Sequence, residues 1–384
     1  MGLTFTACPR IDPTPDPEPT GPDTKWYVGH ESNTSFSLGT ANQLAGLAEL
    51  VNDGINFSGK KIILTKNIDL STLVIATKAS SSTSWRPIGT YDNPFKGTFD
   101  GAGYKITGLF IDDGTLEYAG LFGRIVEGKV QNLGVEMATG GITATSAFCV
   151  GGVAGVIGGG SIENCYVKGS VSGSGTVGGV VGRIDDNGTM EPIGWIANCY
   201  ATGTVTGIGN YIGGVIGIIY GDITNCYSTS TVSSTGNYVG GVIGRAHTIS
   251  GNSMKNCYAT GSVSSTGYYV GGVAGGAFCP MENCVALNPK VSGSSFSISG
   301  VGRVQGMYGT LTNNVAWEDM IVLVNNAPKT PLANTSTGID GNNIDTNAVT
   351  TQATFVSLGW KFGNDKDNPW KWNATLKRPV LYWE

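Results

Sequence analysis

Cysteines recur along the middle of the chain, and thiolates are strong zinc ligands. Zinc sites need ligands that converge on one point, often from Cys-x2-Cys pairs, whereas one cysteine per repeat lies along a line. The spacing predicts a ladder of buried structural thiols, with disulfides between turns or a metal site as alternatives. The ladder comprises Cys165, Cys199, Cys226, Cys257 and Cys284. Cys149 and Cys279 lie off it, and the sequence leaves open whether either forms a disulfide, as between Cys279 and Cys284.

Tyrosines form two further series. The first directly follows ladder cysteines and comprises Tyr166, Tyr200, Tyr227 and Tyr258. The second precedes Gly-Gly pairs and comprises Tyr211, Tyr238 and Tyr269. If each cysteine points inward, strand alternation turns the following tyrosine outward. An outward row of rings suits stacking on sugars or a partner, so the first series is a candidate ligand contact. The competing interpretation is that stacked tyrosines only stabilise adjacent turns.

Arginines occupy one position in alternate repeats, after the glycine that ends each motif. They are Arg124, Arg183, Arg245 and Arg303. Two turns of a stacked structure separate equivalent residues by about 10 Å. Such a row suits an acidic polysaccharide, and we take Arg183 and Arg245 as candidate ligand contacts. The competing interpretation is local pairing with Glu127 or Asp185.

Catalytic groups are sparse. The chain has two histidines, and His30-Glu31 lacks the second histidine of a zinc peptidase motif. Glycoside cleavage needs two carboxylates about 5–10 Å apart, but Glu163 and Glu282 share a repeat position four turns apart, and Asp222 stands alone. We therefore expect no catalytic residue, resident metal or cofactor.

The alternative is a β-helix polysaccharide hydrolase or lyase that uses loop acids of the insertion at 183–195, namely Asp185, Asp186 and Glu191. Calcium binding at 185–187 or 365–368 is also left open, because short acidic loops resemble calcium sites as well as ordinary solvated turns.

The composition indicates short strands joined by tight turns. Charged residues make up 13% of the 384, against about 25% in typical proteins, and the 60 glycines are about twice the usual share. The net charge of −5 and the lack of a basic run argue against a nucleic-acid partner. No apolar stretch reaches the roughly 18 residues of a membrane-spanning helix.

Internal repeats decide the predicted fold. Gly-Gly-Val recurs with Asn-Cys downstream, and weaker copies flank the array, which gives about seven copies. Cys199 and Cys226 stand 27 residues apart (226 − 199). This unit predicts a right-handed parallel β-helix, an all-β solenoid whose stacked turns bury apolar faces that no single turn can bury. The glycines are expected to supply positive φ at corners. The Gly-Gly-Val copies lie at 151–153, 178–180, 213–215, 240–242 and 271–273.

Different segments are predicted to flank the repeats. Thr40 and Gln43 form a capping box before an amphipathic stretch, which predicts a short helix plugging the N-terminal end. Residues 26–118 then form the N-terminal cap and first irregular turns, 119–305 the repeats, and 306–384 a tryptophan-rich C-terminal cap across the last turn.

The N-terminus resembles a bacterial lipoprotein signal. Leu3 to Ala7 precede Cys8, so residues 1–7 are interpreted as a signal remnant and Cys8 as the lipidated residue. Residues 8–25 are rich in proline and aspartate, which favours a semi-rigid extended linker. This pattern predicts a lipid-anchored protein of the cell surface or outer membrane.

The repeats resemble GLUG motifs, which occur in bacterial surface proteins and in some immunoglobulin A peptidases. The resemblance rests on Gly-Gly-Val and Asn-Cys-Tyr and covers about half of the chain. It implies a surface location and a scaffold, but no defined reaction. We therefore expect a non-catalytic surface scaffold or adhesin that binds glycans or host or partner proteins, with membrane contact only through the lipid.

Overall fold

The computed structural model describes residues 21–73, 84–185, 194–247, 252–295, 300–307, 309–331 and 337–384. These residues form a parallel β-solenoid, as the repeats predict. Consecutive turns pair strand by strand with equivalent residues in register, so that Tyr200 lies between Tyr166 and Tyr227. Within the described residues no helix is long and apolar enough to cross a membrane.

Parallel pairing already begins before the repeats. The strands of this region are β1 (Ser35–Leu38), β2 (Lys61–Leu64), β3 (Ile68–Asp69), β4 (Thr98–Asp100), β5 (Lys105–Asp112) and β6 (Tyr118–Ala119). β1 pairs with β2, β2 pairs with β4, and β4 pairs with the first strand of the repeats, Phe122–Ala144. One buried apolar column therefore runs through Phe36, Ile62, Phe99, Val130, Ile162, Ile196, Ile223, Met254, Met281 and Leu311.

The repeats supply most of the strands. They are β7 (Phe122–Ala144), β8 (Cys149–Gly151), β9 (Ala154–Gly173), β10 (Thr176–Gly178), β11 (Val181–Asp185), β12 (Gly194–Ala197), β13 (Tyr200–Gly207), β14 (Ile212–Gly213), β15 (Ile216–Ile219), β16 (Gly221–Thr224), β17 (Tyr227–Ser228), β18 (Thr231–Ser234), β19 (Val239–Gly240), β20 (Ile243–Ala246), β21 (Met254–Lys255), β22 (Tyr258–Ala259), β23 (Val263–Ser265), β24 (Val270–Gly271), β25 (Ala274–Ala277), β26 (Met281–Glu282), β27 (Val285–Ala286), β28 (Lys290–Gly293) and β29 (Val301–Gly302). Each turn repeats the last: β10, β11, β12 and β13 pair with β14, β15, β16 and β17.

The paired glycines are required by close backbone packing. A Cβ on Gly240 would lie 2.1 Å from the Ile243 carbonyl oxygen, and one on Gly241 would lie 2.1 Å from the carbonyl oxygen of Gly272 in the next turn. Neither glycine has a positive φ. The expectation of positive φ therefore fails for the paired glycines, which instead provide room for a neighbouring main chain. It holds at other repeat glycines, such as Gly160, Gly169 and Gly203.

Asparagine takes the left-handed corner instead. The asparagine before each ladder cysteine has a φ between 52° and 55°, as at Asn164 and Asn283. Asparagine tolerates this region because its short polar side chain bonds locally. The side chains form an asparagine ladder, in which Asn225 Nδ2 donates to Asn198 Oδ1 at 3.1 Å. The ladder begins where Asn132 donates to Asp100, and its other members are Asn164, Asn256, Asn283 and Asn313.

The N-terminal helix is confirmed as α1 (Ala41–Asn52). Thr40 caps it by accepting a hydrogen bond from the Gln43 amide, while the Gln43 side chain accepts from Gly39, one residue before the cap. The apolar face of α1 joins the same core as the solenoid strands. A short 3₁₀ helix also lies at Leu70–Thr72.

Buried charges close the C-terminal end. Lys329 pairs with Asp340 at 3.2 Å, and both side chains are at most 4% exposed. The Arg303 side chain is buried beside them and donates to Asn343 Oδ1 at 2.6 Å. The register aligns Gly302 with Gly271, the first glycine of a Gly-Gly-Val motif. Arg303 therefore directly follows that first glycine, whereas the other arginines follow the glycine that ends the motif. Its expected place in the arginine row is therefore wrong.

The tryptophan-rich segment does not lie across the last turn, which corrects that expectation. Residues after the solenoid form α2 (Gln352–Ser357) and an antiparallel sheet that runs back along one flank. A 3₁₀ helix, Ala348–Thr350, precedes α2. The remaining strands are β30 (Leu311–Thr312), β31 (Val315–Trp317), β32 (Ile321–Val324), β33 (Ala327–Pro328), β34 (Asn342–Ile344), β35 (Phe362–Asp365), β36 (Asn368–Asn373) and β37 (Arg378–Leu381).

Candidate functional site

All five ladder cysteines lie in the core as free thiols, as do Cys149 and Cys279. Each ladder thiol donates to the carbonyl oxygen two residues earlier, across the asparagine corner, as Cys199 does to Ala197 at 3.1 Å. Burial raises the pKa of Cys149 and Cys279 to about 12. A buried thiol held protonated is a poor nucleophile and a poor metal ligand. The five ladder cysteines pack within the hydrophobic core of the solenoid.

Tyr166, Tyr200, Tyr227 and Tyr258 form a tyrosine stack outside the solenoid core, with successive ring centroids 4.7–5.2 Å apart and nearly parallel planes. The C-terminal sheet covers three of these rings. Tyr200, Tyr227 and Tyr258 are 8%, 5% and 0% exposed. Their expected role as open ligand contacts is wrong, because the chain's own tryptophans occupy that face; Trp370 lies 5.9 Å from the Tyr258 ring.

The second tyrosine series remains uncovered and half-buried. Tyr211, Tyr238 and Tyr269 have φ values of 67°, 59° and 61°. A bulky residue in the left-handed region is an outlier that costs about 1–3 kcal/mol. Centroid distances of 5.4 and 4.7 Å place the three rings in one row along the solenoid axis.

Arg245 lies against this row. Its guanidinium carbon is 5.0 Å from the Tyr238 ring centroid and 4.6 Å from that of Phe278. One Arg245 nitrogen donates to the Tyr211 hydroxyl at 3.2 Å, and its buried Nε has no partner. We call Tyr211, Tyr238, Tyr269, Arg245 and Phe278 the arginine–tyrosine strip.

The other row arginines are engaged differently. Arg183 pairs with Asp185, as one of the competing interpretations predicts, and this pairing outweighs burial and raises the pKa of Arg183. Arg124 instead donates to the Tyr91 carbonyl oxygen at 2.8 Å. Its expected partner Glu127 lies 3.9 Å from Lys96. The arginine–tyrosine strip therefore holds a cation that no described carboxylate pairs with.

A second candidate site lies where the tyrosine stack ends. Register places Gly134 at the position that Tyr166 holds in the next turn, so no ring continues the stack. The space is a cavity of about 570 Å³, here called the stack-end cavity. Its wall includes Trp383, whose ring is 6.2 Å from that of Tyr166 and nearly parallel to it. The other lining residues are Ala102, Gly103, Asn132, Leu133, Asn164, Lys168, Tyr200 and Glu384.

Charged groups hold Tyr166 in place beside this cavity. Its hydroxyl donates to Glu136 at 3.0 Å, and Lys105 binds the same carboxylate at 2.9 Å. Burial, together with the Glu136 carboxylate, raises the pKa of Tyr166. Burial alone would raise the pKa of Glu136, but the hydrogen bonds from Lys105 and Tyr166 outweigh it and lower the pKa.

Carboxylates on the solenoid flank are mostly neutralised. Glu163 pairs with Lys129 at 2.9 Å, and Glu282 pairs with Lys255 at 3.3 Å. Asp222 accepts hydrogen bonds from Ser253. Asp365 accepts from the amides of the turn that follows it, at Asp367 and Asn368.

Three predicted positions cannot be placed. Asp186, Glu191 and Cys8 lie outside the described residues. Among the residues that are described, no three His, Cys, Asp or Glu side chains are grouped to hold a metal ion.

Sequence reasoning missed the asparagine ladder and the stack-end cavity. Asparagine preceding every ladder cysteine is a signal for the left-handed corner, and it was available from the repeats. Aligning the repeats with one another also shows that Gly134 stands where the later repeats have a tyrosine, such as Tyr166. Contact with Trp383 could not be read, because no local pattern places a residue more than 200 positions away.

Comparison with known proteins identifies the repeats. A model of the GLUG motif matches residues 146–172, 173–206 and 208–233. The chain therefore contains GLUG motif repeats, and the parallel in-register pairing continues beyond the matched residues to Leu311 and Val315. Similarity in structure extends further, to the crystal structure of a proposed immunoglobulin A1 protease from Bacteroides ovatus. The TM-score is 0.62 at 25% identity, over 91% of this chain and 93% of that one.

Two curated relatives share part of the sequence. A proposed Gly-rich membrane protein from Evansella cellulosilytica is 30% identical over 199 residues, which are 44% of this chain and 22% of the relative. Halomucin from Haloquadratum walsbyi is 31% identical over 163 residues, 39% of this chain and 2% of halomucin. The chain thus spans a minor part of the curated relatives it matches.

Proposed function

We propose that this protein is a non-catalytic scaffold of the cell surface that binds acidic glycans along the arginine–tyrosine strip. The carrying observation is Arg245, a half-buried cation that lies over three aromatic rings and forms no ion pair with any described residue. A desolvated guanidinium without an acidic partner favours an anionic group supplied by a ligand.

The tyrosine row provides the complementary apolar surface. Aromatic faces pack against the C–H faces of sugar rings, while phenol hydroxyls bond to sugar hydroxyls. The rings repeat along the solenoid axis, which matches a polymer lying parallel to that axis. The strained backbone of Tyr211, Tyr238 and Tyr269 also supports a functional role, because such outliers persist at sites where a side chain must be held in place.

Absence of catalysis belongs to the same proposal. Glycosidases need two available carboxylates across the scissile bond. Glu163 and Glu282 are each held by a lysine, and Asp185 is held by Arg183. A reducing-end assay on the polysaccharides that bind should therefore detect no cleavage, and cleavage would contradict this part of the proposal.

The surface location is supported by the relative described as a membrane protein and by the N-terminal resemblance to a lipoprotein signal. We place the lipid on Cys8, ahead of the residues that the structure describes. The expected linker ends before residue 25, because the Asp23 amide donates to the Asn42 carbonyl oxygen of α1 at 2.8 Å. Mass spectrometry of the membrane-extracted native protein should find Cys8 at the mature N-terminus with a lipid mass. Soluble protein with an unmodified Cys8 would contradict the anchor, but would leave the glycan site untouched.

Binding is tested by calorimetry with polygalacturonate and with neutral dextran as the comparison polymer. Charge-assisted hydrogen bonds contribute about 1.5–3 kcal/mol, so Arg245→Gln should weaken polygalacturonate binding at least about tenfold. Lys290→Gln removes the same charge at an exposed position away from the strip and should bind normally. Equal affinity for both polymers, or an unaffected Arg245→Gln variant, would contradict the proposal.

A further inference from the structure

We infer that the stack-end cavity is a second site, independent of the arginine–tyrosine strip, and that it binds one neutral sugar unit of a glycan. The inference begins with the interrupted tyrosine stack. Tyr166, Tyr200, Tyr227 and Tyr258 follow one another in register, and Gly134 ends the series. The solenoid itself continues past this point, so the strand is present and only the ring is missing.

The glycine is needed for the Tyr166 ring to adopt its position. A Cβ on Gly134 would lie 2.5 Å from the ring carbons of Tyr166. Any larger residue would push this ring out of the wall. Glycine therefore both ends the stack and leaves the space beside Tyr166 open towards Ala102 and Gly103.

The cavity has the size and the walls of a sugar site. Small-molecule sites typically enclose about 300–1,000 Å³, and 570 Å³ lies within that range. Trp383 and Tyr166 present nearly parallel rings, and flat aromatic walls suit the apolar faces of pyranose rings. Tyr166 is held by Glu136 before any ligand binds, which lowers the entropy lost on binding.

Polar groups on the lining point to a neutral ligand. Lys168 provides a positive charge beside Tyr166, and it is shared with Glu136, whose carboxylate lies 3.5 Å away. Glu384 adds a carboxylate to the lining. Asn132 uses one amide N–H for Asp100, and an amide nitrogen carries two. The cavity thus combines a cationic donor with an anionic acceptor. This combination favours hydroxyl groups, which can both donate and accept hydrogen bonds, over an anionic or a cationic ligand.

Glu384 is available for this role only in part. Its Oε2 accepts from Tyr227 at 2.8 Å, and Oε1 accepts from the Leu381 amide. Burial raises the pKa of the Glu384 carboxyl. Both oxygens of the Glu384 carboxylate therefore already accept hydrogen bonds that hold the C-terminal segment in place. The principal groups left for sugar hydroxyls are Lys168 and the asparagine amides.

Saturation-transfer NMR with methyl glycosides of glucose, galactose, mannose and N-acetylglucosamine tests the inference, with methyl glucuronide as the acidic probe. At least one neutral glycoside should bind and outcompete methyl glucuronide. Trp383→Ala should weaken that binding at least tenfold, while Trp195→Ala, at an exposed tryptophan elsewhere, should not. Absence of binding by every neutral glycoside would overturn the inference.

A second variant is needed because Trp383→Ala could unfold the C-terminal segment and remove the cavity for that reason alone. Lys168→Gln lies on a solenoid strand with a half-exposed side chain and should fold normally. It should weaken the neutral glycoside at least threefold, and wild-type affinity in both Lys168→Gln and Trp383→Ala would refute the site. Arg245→Gln should leave glycoside binding unchanged, which separates this site from the strip: either one can fail without the other.

Discussion

The Tyr258 hydroxyl donates a 2.7 Å hydrogen bond to the carbonyl oxygen of Pro379, which lies 121 positions later in the chain. This bond ties the C-terminal sheet to the flank of the solenoid. It lies within a cluster of buried aromatic residues that is separate from the solenoid core. We therefore expect the C-terminal sheet to lose structure separately from the solenoid core.

Removal of a central tryptophan should expose this separation. Trp370 is fully buried between the sheet and the tyrosine stack, and Trp→Ala changes at such sites cost about 3–5 kcal/mol. Trp370→Ala should release residues 352–384 while the solenoid stays folded. Hydrogen exchange would show faster exchange in that segment alone. Leu376→Ala, at a half-exposed position in the turn between β36 and β37, should exchange like the wild type.

The asparagine corner predicts an unusual order of substitutions. Asn225 has a φ of 54° and donates to Asn198. Asn225→Ala loses the ladder bonds to Asn198 and Asn256 and keeps a Cβ in the left-handed region, which together cost about 2–4 kcal/mol. Asn225→Gly loses the same two bonds but relaxes the corner, so it should be less destabilising than alanine. Urea unfolding measures both, and an alanine variant as stable as the glycine variant would contradict the strained corner.

The seven described cysteines should be unreactive in the native protein. All are buried, and burial raises the pKa of Cys149 and Cys279 to about 12. A thiol reagent should modify none of them before unfolding and all seven after unfolding without reductant. Fewer free thiols in the unfolded protein would reveal disulfides between turns, the alternative that the spacing also allowed.

Acid should weaken the first turns through Asp100. Burial would raise the pKa of this carboxyl, but hydrogen bonds from Lys61, Asn132, Gln131 and the Ala102 amide lower it to about 2. A lowered folded-state pKa stabilises the fold above the ordinary value of 3.8, and this contribution is lost as the pH falls from 3.8 towards 2. The loss is at most about 2 kcal/mol.

Urea midpoints between pH 5 and pH 2 would measure this effect. Asp100→Asn should flatten the acid dependence, because no proton is taken up at that position. Asp112→Asn, at an exposed aspartate on the following strand, should keep the wild-type profile. Identical profiles for the wild type and Asp100→Asn would show that the carboxylate contributes nothing to the acid response.

The repeats were sufficient to predict the solenoid, because each turn carries the same glycine and asparagine positions. The α1 cap was also predictable, since Thr40 and Gln43 act locally. Long-range packing was not. Nothing around Trp370 or Trp383 specifies whether an aromatic segment covers the end of a solenoid or its flank, and that choice decided which tyrosines stay open.

The paired glycines also affect how this surface can evolve. Since a methyl group at Gly241 would meet the main chain of the next turn, the distance between turns is set by backbone contact. Residues on the outer face do not contribute to that distance. Selection can therefore exchange rings and charges on the outside one at a time, as between Ile218 and Arg245, without altering the spacing at which they are displayed. The fold thus separates variation in surface chemistry from the geometry that presents it.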